Sequence, residues 1–165
     1  MIRLQNILIP TDFSEPAMEA TRHALELARP FRANVHLLYV IDEPSFQIHG
    51  FGGYIPGREE FEAFGDAGLT NWIAEEDEKG LNIIRAKEFG KTYKKIVDYA
   101  AEHDIDLVVM GTHGRSPITR GLLGSVAENV VRYAECPVLT VHPEGRSFVV
   151  SQDAASATNQ SKSEV

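Results

Sequence analysis

The sequence predicts an α/β fold, a single-domain open parallel sheet of about five strands with helices on both faces, and three observations point to it. Short runs of β-branched and aliphatic residues recur along the chain: Ile7-Leu8-Ile9, Val35 to Ile41, Leu107 to Met110 and Val138 to Val141. Between them lie stretches with apolar residues at helical spacing, so strand and helix alternate as parallel sheets require. Leu107 to Met110 is apolar at every position, not every second one, which marks a strand covered on both faces.

Length and charge set the frame. A chain of 165 residues suits one domain whose core needs neither disulfide nor metal. The 16 basic against 24 acidic residues give a formal charge of -8, which argues against nucleic acid or an anionic membrane as the main partner. Any bound anion must be held locally. One cysteine, Cys136, excludes an internal disulfide framework and suits a reducing compartment. Met1 to Asn6 lack the apolar core of a signal peptide, and no apolar run approaches the roughly 20 residues that span a bilayer. The expected location is the cytoplasm.

Leu4 to Pro10 holds the first strand around Ile7-Leu8-Ile9. Thr11-Asp12-Phe13 turns at its carboxyl end, and Ser14 is placed to cap a helix whose first turn accepts Glu15 and Pro16. Ala17, Ala20, Ala24, Leu27, Ala28 and Phe31 share one helical face, small enough for close approach to a sheet. Val35 to Ile41 is the second strand. From Ser45 to Leu69 periodicity weakens among glycines and aromatics, so the expectation is a long excursion with one helical turn around Glu59 to Phe64, as in a lid or interaction surface. A charged helix, Thr70 to Lys79, and an edge or near-edge strand, Leu81 to Glu88, come next. Thr92 is a candidate cap for a helix in which Tyr93, Ile96, Val97 and Ala100 align, ending near His103-Asp104 before the fourth strand. Val126, Ala127, Val130, Val131 and Ala134 define a helix from Ser125 to Glu135, and Val138 to Val141 is the last strand. Residues 1–144 are thus read as the domain, and the Ser-, Gln- and Asn-rich 145–165 as a disordered tail.

The chemistry concentrates after the fourth strand. Gly111 and Gly114 free the backbone for close approach to a ligand, and Gly124-Ser125 opens a helix, where spare N–H groups and the helix dipole favour phosphate. Between Gly111 and Ser125 there is no carboxylate, yet there are two arginines, Arg115 and Arg120. A P-loop is excluded because no lysine adjoins Gly124-Ser125, and the dinucleotide fingerprint is excluded because strand one leads into Pro10-Thr11-Asp12-Phe13-Ser14. Asp12 and the glycine loop share one sheet edge if strands one and four are neighbours, as in the Rossmann-like order 3-2-1-4-5.

Each of these residues also has a plain structural role open to it. Asp12 either meets a ligand or braces the turn, and the arginines either meet phosphate or are solvated. His113 has no carboxylate placed to orient it as a base. The other histidines (His23, His36, His49, His103 and His142) lack metal-ligand spacing. Cys136 reads as a packing residue, and Glu75 to Glu78 as a solvated helix face.

The spacing Gly111-x2-Gly114-x9-Gly124-Ser125, with Ile9-Pro10-Thr11-Asp12-Phe13-Ser14-Glu15 before it and Cys136-Pro137-Val138-Leu139-Thr140-Val141 after it, resembles the ATP-binding branch of the universal stress protein family. The resemblance runs in motif order from Leu4 to Val141, is weak over Ser45 to Leu69 and is absent from the tail. It implies ATP as the ligand. The nucleoside end would fall on Asp12, with Pro10, Thr11 and Val40 beside it and Met110 offering soft apolar surface. The phosphate end would fall on Gly111, Gly114, Gly124, Ser125 and the amides of Val126 and Ala127, with His113 and Arg115 in the same loop. That division suits the charges, because a carboxylate repels phosphate and accepts from ribose hydroxyls. No catalytic and no metal-binding side chain is evident, so Mg²⁺ would be held mainly by the phosphates. The implied role is a nucleotide-dependent stress-response or regulatory module with slow or no hydrolysis, paired as a homodimer through Val138 to Val141. The alternatives are an ATP hydrolase or adenylyl-transfer enzyme using the same pocket, and a dimerising interaction protein that binds no nucleotide.

Overall fold

The computed structural model describes residues 1–42, 57–113, 123–143, 145 and 147–149. Strands β1 (Asn6–Thr11), β2 (Asn34–Ile41), β3 (Asn82–Phe89), β4 (Leu107–Gly111) and β5 (Val138–Val141) form one sheet in the order β3-β2-β1-β4-β5. Every neighbouring pair is parallel. The helices are α1 (Glu15–Phe31), α2 (Arg58–Asn71), α3 (Glu75–Glu78), α4 (Thr92–Glu102) and α5 (Ser125–Tyr133). The expected Rossmann-like order and two-sided cover are both present.

Side-chain alternation divides the core in two. Ile7 and Ile9 join Leu37, Val109 and Ala20, Ala24 and Ala28 of α1 in one cluster, which also takes Leu69 of α2. Leu8, Leu38 and Val108 point the other way, onto Ile96 and Ala100 of α4 and Ala127 and Val130 of α5. Ala20, Ala24 and Ala28 have no exposed surface, which is how α1 lies close enough to cover β1 and β4. Its start is set by Ser14, whose hydroxyl accepts from the Ala17 amide. Arg32 in the left-handed region closes it, its N–H returning to the carbonyls of Ala28 and Arg29.

Four expectations are corrected. The span Ser45 to Leu69 is not one excursion with a single turn: residues 43–56 lie outside the described residues, and Arg58–Asn71 is a helix of 14 residues. Its signal was masked because glycines stand at its contacts. A Cβ at Gly65 would lie 2.7 Å from a Tyr39 ring carbon, and one at Gly68 would lie 2.4 Å from Phe13 Cζ. The charged helix Thr70 to Lys79 shrinks to the four residues of α3, because α2 already occupies Thr70 and Asn71. Thr92 is not a cap; Lys91 holds that position without a side-chain bond, while the Thr92 hydroxyl donates to Asp42 Oδ2 at 3.2 Å. The last helix also stops short, at Tyr133 and not Glu135.

Of the segment read as a tail, residues 146 and 150–165 lie outside the described residues. Ser147 and Phe148 rest on α1, where the Ser147 hydroxyl is 3.2 Å from His23 Nε2 and the Phe148 ring stands edge-on to the imidazole at 4.5 Å. No helix among the described residues is long and apolar enough to cross a membrane.

Candidate functional site

β1 and β4 are neighbours, yet their ladder runs only through Ile7–Leu107 and Leu8–Val108, while β1 continues to Thr11 and β4 to Gly111. The carboxyl ends of the two strands therefore part. From there β1 leads into α1 on one face and β4 leads to α5 on the other. A parting of this kind, at a switch in connection direction, is where open parallel sheets take ligands.

On the β1 side, Pro10 and Thr11 are buried and Asp12 is half-buried. Asp12 Oδ1 accepts from the Ser14 amide at 3.1 Å and from the Ser14 hydroxyl. The Phe13 amide donates to Thr11 Oγ1 at 3.0 Å. Asp12 thus braces the turn, the structural role already open to it from sequence. A carboxylate accepts up to about four hydrogen bonds, so bracing and meeting a ligand are compatible. Val40, half-buried near the end of β2, packs in the same cluster as Met110 of β4.

On the β4 side, the reason for the glycines differs from the expected one. Neither Gly111 nor Gly124 has positive φ; the described glycines that do are Gly80 and Gly90. Gly111 is needed for packing, since a Cβ there would lie 2.9 Å from the Pro16 carbonyl oxygen in the first turn of α1. Gly124 is similarly tight: its added Cβ would lie 3.1 Å from the Thr112 carbonyl oxygen. Its N–H already donates to that oxygen at 2.8 Å, so this amide is not available to a phosphate. Gly124, and not Ser125, is the cap residue of α5, and no side chain caps it. Glu128 is the first residue to bond back, to Gly124 O at 2.8 Å. Helix geometry leaves the N–H groups of Ser125, Val126 and Ala127 without intrahelical acceptors.

Thr112 is the residue that sequence reasoning missed. Its N–H donates to Val141 O at 3.0 Å and its carbonyl receives Gly124, so it ties β4 to β5 and to α5 through the main chain. No side-chain signal could have revealed this. Its hydroxyl lies 3.0 Å from His113 Nδ1. His113 Nε2 is buried without a hydrogen-bond partner among the described residues. The expected phosphate contacts at Gly114 and Arg115, and the second arginine Arg120, lie outside the described residues.

Two further groups lie away from this edge. His36, buried in β2, has Nδ1 3.0 Å from the Tyr99 hydroxyl, and Tyr99 stacks on His103 at 3.8 Å. Burial, then the neighbouring His103, lowers the His36 pKa, and burial raises that of Tyr99. Cys136 is half-buried, and burial raises its thiol pKa above the ordinary range.

A five-stranded parallel sheet in the order β3-β2-β1-β4-β5 with helices on both faces defines a Rossmann-like α/β protein. The universal stress protein family model matches residues 3–142, and the chain belongs to that family. Among its relatives, Universal stress protein MJ0531 of Methanocaldococcus jannaschii is 37% identical over 138 residues, covering 83% of this chain and 81% of the relative. Universal stress protein MJ0577 of the same organism is 32% identical over 160 residues, 85% of this chain and 96% of its own. The solved structure of MJ0577 superposes with a TM-score of 0.70 at 30% identity, covering 90% of this chain and 100% of that one. A universal stress protein crystallised in complex with cAMP superposes with a TM-score of 0.65 at 25% identity, over 87% of this chain and 100% of that chain.

Proposed function

We propose that this chain binds an adenine nucleotide, ATP in first place, where β1 and β4 part, and that it acts as a nucleotide-dependent stress-response module without efficient turnover. The observation that carries this reading is the start of α5: Gly124 is tied to the Thr112 carbonyl just past the end of β4, and helix geometry leaves the next three N–H groups, Ser125 to Ala127, without intrahelical acceptors. Such a helix start attracts phosphate through both its amides and its dipole. Asp12, across the parting, would accept from ribose hydroxyls, and Thr11, Val40 and Met110 would flank the nucleoside. Gly111 and Gly124 would act through packing, and Mg²⁺, if carried, would sit on the phosphates. The cAMP complex of a structural neighbour supports the ligand class. A second copy would pair along β5, which ends the sheet on that side.

Ser125→Pro tests the reading. Proline is favoured at the first helical position, and Gly124 at φ -61°, ψ 149° already has the extended conformation that precedes proline well. The substitution therefore removes one N–H and leaves the helix. Losing one charge-assisted bond is expected to weaken ATP by about tenfold or more while leaving adenosine unchanged. Equal affinity for ATP before and after, measured by calorimetry, refutes the phosphate assignment.

A further inference from the structure

We infer that Phe13 is a positioning residue for the Asp12 carboxylate, and that α2 holds Phe13 in place through Gly68, so this helix tunes affinity where β1 and β4 part. The inference rests on the nucleotide reading for its ligand. Phe13 has φ 62°, a left-handed conformation that a bulky residue rarely adopts. The other described non-glycine residues with positive φ, Arg32 and Asp104, follow helix ends, where this conformation is ordinary. Phe13 instead sits between a strand and a helix. Strain of this kind persists where the surroundings over-determine it.

Those surroundings are visible. The Phe13 ring lies against Tyr39 at 4.8 Å, Trp72 at 5.4 Å and Phe64 at 5.7 Å between centroids. Trp72 is itself tethered, its Nε1–H donating to Thr21 Oγ1 at 2.9 Å. The tip of the ring meets α2 at Gly68, where an added Cβ would lie 2.4, 2.5 and 2.8 Å from three ring carbons. Glycine inside a helix lowers helix stability, so a close contact accounts for its presence there. The link to the site is the turn itself. The Phe13 amide bonds back to Thr11 Oγ1, and the next amide, Ser14, bonds back to Asp12 Oδ1. Rotating Phe13 out of the left-handed region would swing the Ser14 N–H and hydroxyl away from Asp12 and take those two hydrogen bonds from the carboxylate.

Gly68→Ala tests this, with Gly57→Ala as a control at the start of the same helix, where an added Cβ meets nothing within 4 Å. Gly68→Ala is expected to move the amide resonances of Asp12 and Ser14 without ligand, and to weaken ATP by about tenfold at a temperature where each variant is fully folded. Gly57→Ala should do neither. In a Phe13→Gly background the new methyl has no ring to meet, so Gly68→Ala should cost no further affinity. Unmoved amides with wild-type affinity, or an equal loss in both backgrounds, overturns the inference, whatever the melting temperature does. If Gly68→Ala does not fold, Phe13→Gly alone decides: affinity equal to wild type overturns it, and a loss with moved Asp12 and Ser14 amides supports it. Wild-type protein that binds no nucleotide sinks the functional reading instead, and the amide shifts then judge the coupling by themselves.

Discussion

Gly111→Ala tests the packing at the end of β4. The added methyl carbon would stand 2.9 Å from the Pro16 carbonyl oxygen, 3.0 Å from its carbonyl carbon and 3.0 Å from its Cβ. All three are main chain or ring-anchored atoms, so no flexible side chain can yield. Overpacking of this kind costs about 1–3 kcal/mol. Against it stands the smaller unfolded-state entropy of alanine, worth about 0.4–1 kcal/mol at a position without positive φ. The net destabilisation is about 0–2.6 kcal/mol, which at about 2–4 °C per kcal/mol for a chain of this size lowers Tm by up to about 10 °C. Calorimetric melts, with urea titrations expected to show an unchanged slope, measure it. A Tm above wild type refutes the close contact between β4 and the first turn of α1.

The remaining predictions concern the frame around that contact. The folded His36 pKa lies below its ordinary 6.5, through burial first and His103 second, so the unfolded chain takes up a proton that the native chain refuses. Its contribution is therefore complete above about pH 6.5 and is lost as pH falls from there toward the lowered native value; urea titrations across that window should show a shallower acid loss in His36→Gln, and a wild type that gains stability on acidification through this window counts against it. Ser14→Ala removes the cap of α1 and one partner of Asp12, and should cost about 1 kcal/mol in chemical denaturation. Trp72→Phe keeps most of the ring packing but loses the bond to Thr21, an expected cost of about 0.5–1.5 kcal/mol in the same assay.

The parallel strands were legible because a sheet buried on both faces writes itself as unbroken apolar runs, and Leu107 to Met110 is one. α1 was legible through Ser14 and its alanine face. α2 was not, because a helix that approaches two aromatic rings through Gly65 and Gly68 gives up both helix propensity and an apolar stripe. The turn at Asp12 was legible as a pair of alternatives, and the bracing one is observed. Thr112 was invisible because its work is done by its own N–H and C=O, which every residue carries. The stacking of Tyr99 on His103 sits at helical i, i+4 spacing, but its junction with His36 joins residues 63 apart in the chain and needed the fold.

The two ends of the proposed site are joined by a short path of described contacts. Ser14 bonds to Asp12, Pro16 two residues on abuts Gly111, and Thr112 beside it accepts from Gly124 at the start of α5. The first turn of α1 therefore touches the nucleoside end directly and the phosphate end through two main-chain contacts. Damage there should weaken adenosine and ATP together, whereas Ser125→Pro acts beyond the last junction and should weaken ATP alone. Comparing adenosine and ATP binding in Gly111→Ala and Ser125→Pro reads that order out. If Gly111→Ala left adenosine binding untouched while weakening ATP, the path would end at β4, and Asp12 would be held independently of it.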